Sequence, residues 1–283
     1  MGKNFDKVTL PCVMGILNVT PDSFSDGGEF FDRDSAGGVR TEKSERQLRK
    51  LAALGVEIID IGGESTRPNG QEIESGTEWR RIDGILEIAE KIDGICVSVD
   101  TYHIDTARNA LERGANVIND VRCTWHFDDM AKVVRDFGGH LIVVHNSRNN
   151  SNFAGIGDPI APIIEEFKEI LRRAEAIDFD SSKIIFDPGI GFGKTARQNF
   201  EIFRKIDRFC SEFSNPIVCG TSRKSFLREL LWEFEGADGA AALRGATVAT
   251  TVEGFRHGCE IFRVHDVQEN LAALKIAQQF YER

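Results

Sequence analysis

The chain reads as an α/β protein built as a (β/α)₈ TIM barrel, and two observations predict it. Eight times an apolar, β-prone run ends in a small polar or charged cluster: Asn18, Asp60 to Arg67, Asp100, Asn119-Asp120, His145-Asn146, Asp187, Ser222 to Lys224, and Arg263 to His265. Between these runs lie amphipathic stretches, so strand and helix alternate as βα units require. In a closed parallel barrel all strands deliver their C-terminal ends to one face, where polar residues far apart in sequence meet. The chemistry is therefore expected on one rim.

Strands are expected over 12–18, 56–61, 95–99, 116–118, 140–144, 184–186, 216–219 and 261–264, each short and rich in Val, Ile or Cys. Such continuous runs suit strands buried on both faces. Helices are expected over 45–54, 78–92, 104–113, 128–137, 160–176, 199–213, 224–234 continuing through 238–256, and 267–281. An open doubly wound sheet would alternate similarly, but its first strand normally leads into a Gly-rich turn and a helix. Here Asn18 leads into a long loop instead. The tightest spacing between strand ends, 19 residues from Asp100 to Asn119, still accommodates one crossover.

With 283 residues and no linker-like segment, one domain spanning 1–283 is expected. The composition, 41% hydrophobic and 28% charged, is that of a soluble globular chain, and a net charge of −10 argues against nucleic-acid or anionic-membrane partners. The N-terminus carries Lys3, Asp6 and Lys7 before any apolar segment, and Asp6 breaks a myristoylation pattern. No run is apolar for long enough to span a membrane, so a cytoplasmic location is expected. The six cysteines are widely spaced without C-x-x-C, which reads as reduced thiols.

Several loops carry candidate chemistry. Asn18 to Gly28 is long, polar and closed by two glycines, as binding loops often are. Gly62 to Pro68 places Arg67 beyond two glycines that permit close backbone approach, an arrangement suited to phosphate. Asp187 to Thr195 invites a P-loop reading but fails it, because Pro188 stands where the Walker pattern needs Gly; Lys194 likewise breaks the dinucleotide fingerprint. That segment does offer a carboxylate at a strand end, able to take two parallel N–H donors, and Phe192 between glycines. Thr221 to Ser225 brings cations and hydroxyls to a helix start, favouring an anion, while Ser222 or Ser225 could equally be an N-cap. Alternation puts Arg263 and His265 on one side of the last strand, pointing inward if Val264 faces the helices. Arg67, Arg223, Lys224, Arg263 and His265 are thus expected at one rim with Asp100, Asn119 and Asp187. The cations would suit a diphosphate, and the acceptors a polar ring.

Seven motifs, in order, resemble dihydropteroate synthase of the pterin-binding barrel superfamily: Met14 to Gly28, Gly62 to Pro68, Val97 to Thr101, Ile118 to Val121, Asp187 to Lys194, Ser222 to Phe226 and Arg263 to Val267. The resemblance implies condensation of 6-hydroxymethyl-7,8-dihydropterin diphosphate with p-aminobenzoate to give 7,8-dihydropteroate and pyrophosphate. It implies that Asp100, Asn119, Asp187 and Lys224 contact the pterin edge, with Arg263 stacking on the ring. It further implies that Asn18, Arg67, Arg263 and His265 hold the diphosphate, Asn18 through Mg²⁺. Thr66, Pro68, Phe24, Phe192 and Ser225 resemble the p-aminobenzoate pocket, and Asp22 and Ser23 resemble catalytic residues of the first loop. A homodimer is the common assembly of the family.

The sequence departs from the family in three places. Val144-His-Asn146 and Ser147 to Phe153 replace the usual Met-His-Met and a short loop; Val121 to Trp125 replaces a Val-Ser-Gly turn; and the region from Phe31 to Ser44 is longer. A related pterin-dependent methyltransferase is the first alternative, but it would have no use for Arg67, Arg263 and His265 as a diphosphate site. A non-catalytic pterin-binding barrel is the second. Its signature would be loss of loop residues, and Asn18, Asp22, Ser23 and Arg67 are all present.

Overall fold

The computed structural model describes residues 3–20, 42–65, 72–148, 153–234 and 236–281. Eight strands form one parallel sheet: β1 (Cys12–Asn18), β2 (Ile58–Gly62), β3 (Cys96–Asp100), β4 (Val117–Asp120), β5 (His140–Val144), β6 (Ile184–Asp187), β7 (Val218–Cys219) and β8 (Ile261–Val264). Their order is β6-β5-β4-β3-β2-β1-β8-β7. A parallel bridge between Phe186 and Ile217, with the Phe186 N–H donating to Pro216 O at 3.0 Å, brings the two ends together and closes the barrel.

Helices lie between the strands: α1 (Glu42–Ala53), α2 (Ser75–Ala89), α3 (Ile104–Glu112), α4 (Cys123–Asp136), α5 (Ile160–Ala176), α6 (Ala196–Arg204), α7 (Asp207–Glu212), α8 (Ser225–Leu230), α9 (Gly236–Arg256) and α10 (Val267–Phe280). The outward side chains of the strands meet the helices in one apolar layer. Phe167 of α5 stacks on Phe186 of β6 with ring centroids 4.2 Å apart. Burying each such ring contributes ~1.5–3 kcal/mol.

A second apolar layer fills the barrel. Met14, Ile58, Cys96, Val117, Ile142, Ile185, Val218 and Ile261 come one from each strand and pack together, with Phe5, Val8 and Leu10 of the N-terminal segment among them. Because strand side chains alternate, this layer fixes the parity of everything above it. Two residues on from Ile58, Cys96, Val117, Ile185 and Ile261 come Asp60, Ser98, Asn119, Asp187 and Arg263, all on the inner face; two further come Gly62, Asp100 and His265. A polar layer therefore sits directly on an apolar plug.

Element boundaries differ from expectation where local hydrogen bonding, not hydrophobic period, sets them. α4 begins at Cys123 rather than near 128, because Asp120 builds the preceding turn by accepting from Arg122 N–H at 2.7 Å; the helix then kinks at His126. The stretch over 199–213 is two helices, the first starting earlier at Ala196 behind a Thr195–Gln198 capping box. None of the six cysteines is in a disulfide. Among the described residues, no helix is long and apolar enough to cross a membrane.

Candidate active site

Asp60 is the hub of the polar layer. Fully buried in mid-strand, it accepts from Ser98 Oγ (2.6 Å), Asn119 Nδ2 (3.0 Å) and Arg263 Nε (2.6 Å). In the sequence Asp60 stands at the start of a cluster expected on the rim. The rim of β2 begins at Gly62, and Asp60 lies beneath it inside the barrel. The signal for it was available: a carboxylate at an inward position of an otherwise apolar strand must meet a donor.

Asp60 also orients its neighbours. A carboxylate only accepts, so the Asn119 NH₂ must face it and the Asn119 carbonyl oxygen is turned away. Arg263 is gripped twice, its second bond running from Nη2 to Asp100 Oδ2 at 2.6 Å. Three of its five N–H donors remain. Burial disfavours the Arg263 charge, but Asp60 and Asp100 more than offset that and raise its pKa. The other Asp100 oxygen, Oδ1, is buried with no hydrogen-bond partner among the described residues. Burial, countered by Arg263, pushes the Asp100 carboxyl up to about 7.

Asp187 and Lys224 form the opposite wall. Asp187 Oδ1 accepts from Gly189 N–H at 2.7 Å, so the carboxylate keeps Oδ2 and one further lone pair for a ligand edge. Burial raises its pKa, opposed chiefly by Lys224. Lys224 Nζ donates to Ile190 O and stands 4.6 Å over the Phe192 ring. Desolvation lowers its pKa to about 8 despite Asp187. Phe192 is nearly buried and packs with the barrel-filling residues.

The segment after β6 owes its shape to Lys194 and glycine. Lys194 Nζ donates to Gly189 O (2.8 Å), His145 O (3.2 Å) and Phe192 O (3.3 Å), so this lysine ties a loop together. Gly189 has φ +68°, and a Cβ there would stand 1.8 Å from His145 O.

On β8, His265 faces inward with Arg263. Its Nδ1 lies 3.0 Å from Ser222 Oγ and its N–H donates to the same hydroxyl at 3.1 Å. Ser222 is thereby engaged with His265, and the N-cap of α8 is Lys224, with Ser225 as first helical residue; neither serine is the cap. Arg223 departs from expectation as well. With φ +58° it turns to Asp266, donating from Nε (3.0 Å) and Nη2 (2.6 Å), an ion pair beside the site. His145 also departs, since its Nε2 faces Glu166 of α5 at 3.6 Å. Asn18 ends β1 beside Gly62, where a Cβ would lie 3.7 Å from its Oδ1.

The chain is similar to known proteins over almost its whole length. The model of the family described as "Pterin binding enzyme" matches residues 14–265. The chain belongs to that family. A dihydropteroate synthase from Clostridium beijerinckii is 38% identical over 96% of this chain and 94% of its own length. Among solved structures, a Clostridium difficile dihydropteroate synthase obtained in the presence of pteroic acid superposes with a TM-score of 0.83 at 36% identity, covering 99% and 100% of the two chains. A Xanthomonas albilineans dihydropteroate synthase with 4-aminobenzoic acid gives 0.84 at 31% identity, covering 96% and 94%.

The fold brings Asn18, Asp100, Asn119, Asp187, Phe192, Lys224, Ser225, Arg263 and His265 to the C-terminal end of the barrel. Asp22, Ser23, Phe24, Thr66, Arg67 and Pro68 lie outside the described residues.

Proposed function

We propose that this enzyme performs the dihydropteroate synthase reaction through an inner pterin site and an outer diphosphate site that share Arg263. In that reaction p-aminobenzoate displaces diphosphate from the exocyclic methylene of 6-hydroxymethyl-7,8-dihydropterin diphosphate. A C–N bond forms, the C–O bond breaks, the amine gives up a proton, and pyrophosphate and 7,8-dihydropteroate leave. The observation that carries the proposal is the buried Asp100 Oδ1, without a hydrogen-bond partner among the described residues and set among acceptors on an apolar plug. A donor-rich heterocycle would satisfy it, and an orphaned buried acceptor costs about 1–3 kcal/mol until satisfied.

In this reading Asp100, the Asn119 carbonyl oxygen and Asp187 accept from the pterin ring, and Lys224 donates to it. Arg263, held by Asp60 and Asp100, turns its remaining N–H groups to the diphosphate, joined by His265 and Arg67. An aromatic amine is neutral at pH 7, so no strong general base is needed. The work lies in stabilising the departing diphosphate. Asn18 would hold Mg²⁺, whose chemistry when bound is to neutralise that growing charge. The fit is that of a hard oxygen donor beside a side-chain-free Gly62. Mg²⁺ keeps several waters and binds through few protein groups plus phosphates, so one amide ligand is not too few. Thr66, Pro68, Phe24, Phe192 and Ser225 would receive p-aminobenzoate, with Asp22 and Ser23 acting from the first loop.

We read residues 1–283 as one domain, acting in the cytoplasm as a homodimer. The dimer is supported by large apolar side chains left exposed near the C-terminal helices, Trp232 and Phe280 both at 73% with Leu230, Phe234 and Ile276.

The test is pyrophosphate release from the pterin diphosphate, with and without p-aminobenzoate and Mg²⁺. Release that requires both, with dihydropteroate as product, is expected. Pterin binding without turnover would instead favour a non-catalytic barrel.

A further inference from the structure

Ser222 and His265 touch twice, and the two contacts together place one proton. The backbone N–H of His265 donates to Ser222 Oγ at 3.1 Å, and the ring nitrogen Nδ1 of the same residue lies 3.0 Å from that oxygen. A hydroxyl has one O–H to give and two lone pairs to receive with, and a backbone N–H can only donate, so the first contact fills one lone pair. Ser222 is buried, and among the described residues its hydroxyl meets no acceptor except His265 Nδ1. Were Nδ1 protonated, it would fill the second lone pair and leave the buried O–H pointing at nothing, which folded chains avoid. The hydroxyl therefore donates to a bare Nδ1. A neutral ring then carries its proton on Nε2.

The serine is itself held from both sides of its turn. Thr221 Oγ1 pairs with Thr250 Oγ1 of α9 at 2.6 Å, and Arg223 N–H donates to Thr247 Oγ1 of the same helix at 3.4 Å. The Arg223 guanidinium grips Asp266, so the adjacent residues Ser222 and Arg223 meet the adjacent residues His265 and Asp266. Arg223 sits at φ +58°, a region that residues with a Cβ rarely adopt, so these contacts and not local preference set the turn. The ion pair beside the site thereby has a use: it keeps the Ser222 hydroxyl against the imidazole.

We propose that Ser222 is a positioning residue that fixes the orientation and tautomer of His265, so that Nε2 carries the N–H that a phosphate oxygen requires. This rests on reading His265 as a contact of the diphosphate. Phosphate oxygens only accept, so the tautomer decides the sign of the contact. A ring protonated on Nδ1 would turn the Nε2 lone pair toward the anion, whereas a ring protonated on Nε2 donates to it. Without the hydroxyl nothing on Nδ1 selects between the two forms, and the His265 backbone N–H loses its acceptor as well.

The test reads the His265 ring nitrogens by ¹⁵N NMR at alkaline pH, with the signals assigned by their loss in His265→Gln, beside calorimetric titration with pyrophosphate and Mg²⁺. In the wild-type enzyme Nε2 is expected as the N–H nitrogen and Nδ1 as the bare one. In Ser222→Ala the two tautomers are expected to mix, and pyrophosphate affinity to fall about tenfold or more, the scale of one hydrogen bond to a charged group. Ser222→Thr, which keeps a hydroxyl, is expected to restore both. Should Ser222→Ala not fold, Ser222→Cys, a weaker donor of the same shape, carries the comparison. A wild-type ring protonated on Nδ1, or a variant without the hydroxyl in which either the tautomer or the affinity is unchanged, would overturn the proposal alone. Wild-type enzyme that binds no pyrophosphate would sink the diphosphate reading together with it.

Discussion

Arg263 Nε and Asp60 Oδ2 stand 2.6 Å apart inside the barrel, a charge pair joining β8 to β2 across β1. The pair is made possible by alternation, since both residues lie two positions above the apolar layer on their strands. It fixes the guanidinium plane, and through the same carboxylate it fixes the Asn119 amide. Asp60 therefore acts as a positioning residue for two groups proposed to touch substrate.

Replacing Asp60 with Asn tests that role. Only one side of an amide accepts, so the three donors from Ser98, Asn119 and Arg263 can no longer all be satisfied. Pterin affinity is expected to fall by about 1.5–3 kcal/mol, the worth of a charged hydrogen bond. Asp60→Ala, which breaks the buried pair outright, is expected to lower stability by roughly 3–5 kcal/mol. Calorimetric titration and urea unfolding check the two values. Full pterin affinity in Asp60→Asn would remove Asp60 from the site.

The pH dependence of kcat/KM follows from Asp100 and Lys224. Asp100, pushed up by burial to about 7, must lose its proton to accept fully from the pterin, so activity rises as pH increases through 7. Lys224, lowered by burial to about 8, loses its charge above that point, so activity falls. Their product is a narrow bell between the two values, reported by kcat/KM because both belong to the free enzyme. Asp100→Asn is expected to flatten the acidic limb while the alkaline limb stays. A mutant profile with the wild-type acidic limb would assign that limb elsewhere.

The inward direction of the described strand residues is legible because parity in a strand is legible. Once Ile261 and Val264 are apolar neighbours of Arg263, the direction of Arg263 and His265 follows, and the same holds for Asn119 after Ile118 and Asp187 after Phe186. What the sequence hid was competition among polar partners. Arg223 looked like one more site cation, but its positive φ and the bidentate reach to Asp266 turn it aside. His145 looked like a strand-end group, yet it faces α5 and Glu166. Helix starts at Cys123 and Ala196 are not legible in the hydrophobic period because side-chain hydrogen bonds set them, through Asp120 in one case and Gln198 in the other. An inward carboxylate at Asp60 implies a donor partner, but nothing local identifies that donor as Arg263, 203 positions away.

Asp187→Asn separates the two oxygens of that carboxylate. Oδ1 already holds Gly189 N–H, and an amide oxygen can keep that bond. The other atom becomes an NH₂ that meets the pterin edge and Lys224 with donors instead of an acceptor. A loss of at least ~1.5 kcal/mol in pterin affinity is expected with little change in melting temperature. Calorimetry beside a thermal melt would expose the opposite pattern, in which the fold weakens and pterin binding persists; that pattern would make Asp187 a loop anchor only.

Lys194→Met tests whether the loop after β6 is held by one buried ammonium. Desolvation lowers the Lys194 pKa well below the ordinary lysine value, so the group is retained at a cost, and its return is the three carbonyls it joins. Methionine keeps the length and the apolar stem but donates nothing, leaving Gly189 O, His145 O and Phe192 O without that partner. A destabilisation of about 1–3 kcal/mol is expected in urea unfolding, the scale of one buried carbonyl deprived of its donor at His145 O, since Gly189 O keeps the Phe192 N–H and Phe192 O keeps the Ser147 hydroxyl. Because Phe192 rides on the same loop, the KM for p-aminobenzoate should rise more than the KM for the pterin diphosphate. Equal rises in both would mean that Lys194 supports the whole rim and has no particular hold on the Phe192 wall.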